Sequence, residues 1–236
     1  MKAILLRVGI DKGYGALSPV FSDMSYEYIP IYLKNKKEME KNEKRTYSMI
    51  KGSHSKFLSE YLPEKLKNKT IHLDPEFNTF TYGDPTIVKR SALLKLEKND
   101  LLIFYIGGKK HLKKESYEMG CFIIGFFEVE EVIDWNNNSS KDKKVIAKNY
   151  MNNAHIISSK SKNNLVMVKG SLKSKLLKKC IQISQVNTPI KNPPYFTIPE
   201  FQTKYGIRKN IVRAVPIHIT DPTKVKLLKK LLLKNT

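Results

Sequence analysis

The sequence predicts an α+β domain built on a curved, mostly antiparallel sheet or open barrel with helices around it. Two long apolar runs carry that expectation, Leu101–Ile106 and Cys121–Val132, separated by a basic connection. Shorter strand-like runs lie on both sides of them, and helical spacing is confined to a few segments. At 236 residues and 41% hydrophobic content, the chain can bury one sizeable core, so 1–236 reads as a single domain.

From the N-terminus, Lys2–Leu6 reads as a first strand, and Gly9, Gly13 and Gly15 turn the next stretch into a loop. Tyr28–Leu33 reads as a second strand. Lys34 to Lys69 is polar, with 11 basic and 5 acidic residues, and within it Ser55–Tyr61 is a short helix limited by Pro63. Thr70–Leu73 is a strand that enters an Asp74-Pro75 turn, and Gly83-Asp84-Pro85 is a second turn. Ile87, Ala92, Leu93 and Leu96 keep near-helical spacing across residues 87–97. The two apolar runs then form an antiparallel pair joined by an exposed loop through Lys109–Lys114, with a bulge or close approach at Gly125.

Asn136–Lys144 reads as a polar loop. Leu165–Val168 and Ile181–Ser184 read as strands with a Lys-rich helix between them. Tyr195–Tyr205 packs aromatic residues across the core, and Ile211–Ile219 is a strand with an edge or bulge at Pro216. Asp221-Pro222 starts a helix from about residue 222, with Asp as N-cap and Pro at N1. Val225, Leu228 and Leu232 form its apolar face, expected to dock on the domain.

The net charge of +21 is unevenly spread. Residues 1–134 carry 22 Lys/Arg against 19 Asp/Glu, whereas residues 135–236 carry 21 against 3. Genome-wide lysine bias would enrich both halves and would not strip acids from one. The basic C-terminal half (135–236) therefore points to a polyanion, and Lys173, Lys175, Lys178 and Lys179 are its candidate contacts with a nucleic-acid backbone. The competing reading is a surface that docks acidic proteins. Cys121 and Cys180 sit in apolar contexts and read as buried thiols in a reducing cytoplasm. The opening residues lack a signal-peptide pattern, and no apolar run approaches the roughly 18–20 residues of a membrane span, so no membrane partner is expected.

Three segments hold more polar and special residues than packing requires. The first runs from Arg7 to Pro19 and includes Asp11, Tyr14 and Ser18 among its glycines. It is neither G-x-G-x-x-G nor a P-loop, and a tight surface loop is the plainer alternative. The second is His72-Leu73-Asp74-Pro75, followed by Tyr82-Gly83-Asp84-Pro85. His72 and Asp74 alternate along a strand and share a face, as a general base with its carboxylate or two ligands of a divalent metal would. Asp-Pro turns that cap a strand explain the same residues. The third is Asn153-Ala154-His155-Ile156. No catalytic-cysteine or G-x-S-x-G constellation occurs, and no cofactor is identified.

With these pieces in order, the chain resembles the nucleotide modification associated domain 3 family across residues 2–217. The resemblance lies in Arg7-Val8-Gly9-Ile10-Asp11 with Ser18-Pro19, His72-Leu73-Asp74-Pro75 and Tyr82-Gly83-Asp84. It continues through Asn99-Asp100-Leu101-Leu102-Ile103-Phe104-Tyr105, Asn153-Ala154-His155-Ile156 and Ile198-Pro199. The chain departs from the family in lacking a Trp before Ile198-Pro199. The resemblance implies work on modified nucleotides without specifying a reaction. Residues 99–133 also resemble the strand pair of PUA-like barrels of the EVE, YTH and ASCH kind, which hold a nucleobase, often modified, among aromatic side chains.

The resulting expectation is one cleft beside Phe104 and Tyr105, into which Arg7, Asp11, Tyr14, Ser18, His72, Asp74 and His155 converge. Arg7 would hold phosphate or a base edge, and Tyr105 or Tyr14 would stack on a base. The favoured function is nucleic-acid binding with recognition of a modified nucleotide in that cleft, in nucleotide modification or its readout. The alternative is a nucleotide- or base-modifying enzyme using His72 and Asp74, with or without a metal.

Overall fold

A computed structural model describes residues 1–33, 43–112, 117–157, 162–186 and 195–236. The chain opens with β1 (Ala3–Arg7), buried throughout, then β2 (Ser18–Val20), β3 (Ile31–Tyr32), β4 (Ile71–His72) and β5 (Thr81–Asp84). A short helix α1 (Ile87–Leu93) leads to the long strands β6 (Leu101–His111) and β7 (Tyr117–Asp134). Helices α2 (Ser140–Asn149) and α3 (Ala154–Ile157) precede β8 (Val166–Gly170), β9 (Lys175–Gln182) and β10 (Ser184–Gln185). The C-terminal part holds β11 (Tyr195–Thr197), α4 (Pro199–Thr203), β12 (Asn210–Ile211), β13 (Ile217–Ile219) and α5 (Pro222–Leu233).

The expected hairpin forms. β6 and β7 pair antiparallel from Leu101↔Glu128 to His111↔Tyr117, a longer ladder than the apolar runs alone define. The tip of the connection, residues 113–116, lies outside the described residues, as does 34–42 of the polar segment. The pair anchors an eight-stranded sheet in the order β13-β1-β6-β7-β8-β5, with β2 beside β6 and β9 beside β7. The sheet is mostly antiparallel, with β1 and β2 running parallel to β6. It stays open among the described residues, and no strand closes it into a barrel. The registers of β6 and β9 against β7 both shift at Gly125, where a Cβ would meet the Lys175 carbonyl oxygen at 2.7 Å. Only glycine allows that approach.

Both faces of this sheet are covered, which is why its central strands read as continuous apolar runs. Leu5, Ile103, Tyr105, Ile123 and Phe126 face a core completed by Val225, Leu228 and Leu232 of α5. Leu6, Phe104, Ile106, Phe122 and Phe127 face the other, against Leu93 of α1 and Val168 of β8. The α5 start is as expected, with the Asp221 carboxylate accepting from the Thr223 and Lys224 amides. No helix among the described residues is long and apolar enough to cross a membrane.

Several local expectations are corrected. The Lys-rich helix between Val168 and Ile181 is instead β9, recruited by the free edge of β7, so tertiary pairing overrides propensity. Asn136–Lys144 is not all loop, since α2 starts at Ser140 with the Ser139 hydroxyl accepting from the Asp142 amide. The 55–61 helix shrinks to one 3₁₀ turn at Leu58–Tyr61, and the 87–97 helix stops at Leu93. Gly83 and Asp84 belong to β5 rather than to a turn. Ile211–Ile219 splits into β12 and β13, with a turn between them.

Lysines also tie the last helix to the sheet. Lys229 of α5 and Lys173, the latter at 3.3 Å, both pair with Glu128, which is 2% exposed. Burial alone would push the Glu128 carboxyl up, but the two ammonium groups outweigh it and hold the group below the ordinary glutamate value. A depressed acid contributes stability that is complete above its unfolded value and disappears as pH falls through the folded one. Glu128→Gln is expected to destabilise the domain by about 1–3 kcal/mol at neutral pH. That difference should shrink on acidification below the ordinary glutamate range, as read by denaturant unfolding. A difference that is constant with pH would contradict the pairing.

Candidate functional site

A cavity of about 590 Å³ opens between the end of β1, the β4 strand with its following loop, β5, the start of α1 and α3. Arg7, His72, Asp74, Tyr82, Asp84, Lys89, His155 and Arg213 supply its polar groups. Ile87 and Val88, 81% and 56% exposed, form an apolar rim.

Its floor is a cluster of His72, Asp74 and His155, whose potential ligand atoms lie within 4.8 Å of one another. The two imidazole rings meet edge to face, with centroids 4.7 Å apart. His155 Nε2 is 3.6 Å from Asp74 Oδ2, too long for a hydrogen bond. The other carboxylate oxygen, Oδ1, accepts from the Gly83 amide at 3.0 Å and from Asn153 Nδ2 at 2.8 Å. Asn153 is fully buried, and its Oδ1 accepts from the His155 amide at 2.9 Å, so one side chain orients both Asp74 and α3. Gly83 completes the fit, because a Cβ there would lie 3.1 Å from His155 Cδ2.

Burial shapes the protonation of this cluster. It pushes the His72 imidazole down to about 3, helped by the neighbouring His155, so His72 is neutral at physiological pH. Burial also lifts the Asp74 carboxyl, more than His155, Asn153 and Gly83 pull it back. Asp84 goes the other way. Burial pushes it up, but Lys89 at 2.8 Å and the Thr86 hydroxyl and amide hold it below the ordinary range.

The same cavity is lined by two guanidinium groups that flank one carboxylate. Asp11 pairs with Arg213 and sits 4.0 Å from Arg7, and it also accepts from the Gly13 amide at 2.9 Å. Arg7 is 8% exposed, lies 4.8 Å over the Tyr195 ring, and its Nε has no hydrogen-bond partner. Burial, and then Arg7, lower Arg213 to about 10, which leaves it charged at neutral pH. Two cations against one anion leave a positive charge at the cavity wall, suited to an anionic group.

Of the seven residues expected to converge, Arg7, His72, Asp74 and His155 line this cavity, and Asp11 stands directly behind its arginines. Tyr14 does not line it. Its ring lies under Arg213 at 5.3 Å and faces a separate hollow with Lys12, Lys65 and Lys69. Ser18 is fully buried in β2 beside Gly108. Tyr105 is likewise fully buried, in the core on the α5 side, so it offers no stacking face. Its neighbour Phe104 points to the other face and packs 5.4 Å from the cavity residue Tyr82. The physical reason is alternation along β6, which sends adjacent residues into two separate cores.

The four candidate backbone lysines lie away from this cavity. Lys175, Lys178 and Lys179 are exposed on β9, and Lys178 borders a second cavity of about 770 Å³ with Glu27, His54 and Phe77. Lys173 is engaged with Glu128, and Lys179 is 3.9 Å from Asp23. Sequence reasoning did not find Arg213, the Asp84–Lys89 pair or the role of Asn153. Arg213 reaches the Gly9 carbonyl from 204 residues away, and nothing in its local sequence marks it.

Neither curated proteins nor solved structures gave a match in comparisons with this chain. A family model did, across residues 2–214, which takes in the arginine pair, the His-Asp-His cluster and every strand of the large sheet except β13. The chain belongs to the nucleotide modification associated domain 3 family, and its role lies in nucleotide modification.

Proposed function

We propose that the 590 Å³ cavity receives a single nucleotide and that the protein acts on it through the His72–Asp74–His155 cluster. One observation carries the reading: an unbalanced arginine pair and a reactive-type cluster line the same cavity. In this reading Arg7 and Arg213 hold the phosphate, and the base lies along Ile87 and Val88 toward the cluster. An enzyme is favoured over a purely reading module because neither tyrosine expected to stack a base reaches the cavity, Tyr105 being buried and Tyr14 facing a separate hollow, whereas the chemical groups face it. The test is thermal shift with a panel of nucleoside monophosphates, plain and base-modified. A ligand that binds only the folded state raises the melting temperature. At least one member should raise it, with Arg7→Met reducing the shift at the same ligand concentration. A panel without effect would sink the reading.

A second reading concerns the basic half. Lys175, Lys178 and Lys179 are exposed along β9, and this supports contact with a polynucleotide that delivers the nucleotide. Reversing Lys173, Lys175, Lys178 and Lys179 to Glu should weaken binding to every sequence alike. It should also reduce the slope of log K against log salt by about one for each phosphate that is no longer neutralised. Affinity indifferent to salt and to the reversals would leave the lysines as a solvated surface.

A further inference from the structure

We propose that His72, Asp74 and His155 form the binding site of one divalent first-row metal ion at the floor of the cavity. The proposal deepens the nucleotide reading, because it assigns the cluster in that same cavity a specific chemical role. Two imidazole nitrogens and a carboxylate oxygen make the donor set that zinc and neighbouring ions take.

The geometry favours a metal over a catalytic dyad in three ways. A His-Asp dyad needs a hydrogen bond, and His155 Nε2 stands 3.6 Å from Asp74 Oδ2. That gap is close to the spacing of two donors each about 2.0–2.1 Å from a shared tetrahedral ion. A dyad also needs only one imidazole. Here a second ring, His72, is held 4.7 Å from the first, an arrangement that serves a shared ligand and not a proton relay through one histidine. Finally, the Asp74 side chain is 4% exposed, and among the described residues its ion-pair contact is with His155 alone. A buried carboxylate calls for a compensating cation. The widest donor separation, 4.8 Å, must close by about 1.4 Å on binding to a tetrahedral ion, within reach of side-chain rotation.

The surroundings are those of a prepared site. Asp74 Oδ1 is tied down by Gly83 and Asn153, which leaves Oδ2 toward His155. Asn153 also fixes the start of α3, and so the place of His155. Outer bonds of this kind set ligand orientation and tune affinity. Three protein donors leave coordination positions open toward the cavity, the pattern of catalytic rather than structural metal sites.

The test uses the full chain, freed of metal by chelator dialysis and titrated with Co2+ in the absence of nucleotide. The expected result is one Co2+ per chain, visible d–d bands and a raised melting temperature. X-ray absorption on the wild-type protein should show two imidazoles in the inner shell, a readout that needs no variant. Asp74→Asn keeps an oxygen for the Gly83 and Asn153 bonds and so preserves the fold. It and His155→Gln should each weaken Co2+ by more than the roughly 10–100-fold that outer contacts cost. No binding by the folded wild type, no imidazole in the inner shell, or binding indifferent to both variants would each overturn the proposal. Nucleotide binding is measured separately on metal-free protein. Its persistence with Arg7 dependence would leave the nucleotide reading standing if the metal site failed, and its loss would not touch a metal site that binds Co2+.

Discussion

Asn153→Ala is expected to destabilise the domain by about 2–4 kcal/mol and to disorganise the cavity floor with it. The side chain is fully buried and joins three pieces of chain. Its Nδ2 reaches Asp74 Oδ1 at 2.8 Å and the Thr81 carbonyl and hydroxyl oxygens at 3.3 and 3.2 Å. Its Oδ1 accepts the His155 amide, which caps α3. Alanine removes the cap on the His155 amide and one of the two donors to Asp74 Oδ1, which keeps the Gly83 amide alone. Asn153→Asp separates the two roles, since it retains the capping oxygen but sets a second carboxylate against Asp74. If orientation of Asp74 is the main role, Asp should be the worse substitution, in urea unfolding and in Co2+ affinity alike. If capping alone mattered, Asp would behave as wild type.

Arg7→Met is expected to weaken nucleoside monophosphate binding by about 10–100-fold with the fold intact, the loss of one or two charge-assisted hydrogen bonds. The fold survives because Asp11 keeps its pair with Arg213, and Met fills much of the space along the Tyr195 ring. Arg7→Lys retains the charge but not the planar fork, so it should recover only part of the loss. Calorimetric titration reads all three proteins. Equal affinity in wild type and Arg7→Met would place the phosphate elsewhere.

The parts of the fold that were legible in the sequence are those whose burial leaves a plain trace. β6 and β7 are covered on both faces and so appear as unbroken apolar runs. α5 announces itself through Asp221-Pro222 and its Val225, Leu228, Leu232 stripe. β9 misleads because its buried residues, Leu177 and Cys180, are three apart, a helical interval. α2 buries none of its residues, so no apolar stripe marks it, although Ser139 with Asp142 three residues on was a usable cap signal. In the site, the polar His72-Leu73-Asp74 and Asn153-Ala154-His155 segments singled out residues that the fold brings together, although β4 ends at His72 and Asp74 reaches the cluster from the following turn and not by alternation along the strand. Tyr105 failed for the reason that made β6 easy to find: a strand buried on both faces leaves no aromatic ring free for a ligand. Arg213 had no local signal at all, since only the tertiary fold brings it to Asp11.

A crystal structure of the protein soaked with a nucleoside 5′-monophosphate would show where the phosphate and the base sit. The phosphate is expected against Arg7 and Arg213 and the base over Ile87 and Val88, facing His72, Asp74 and His155. A nucleotide seated in the second cavity beside Glu27 and His54, or on the lysines of β9 with the arginine cavity unoccupied, would contradict it.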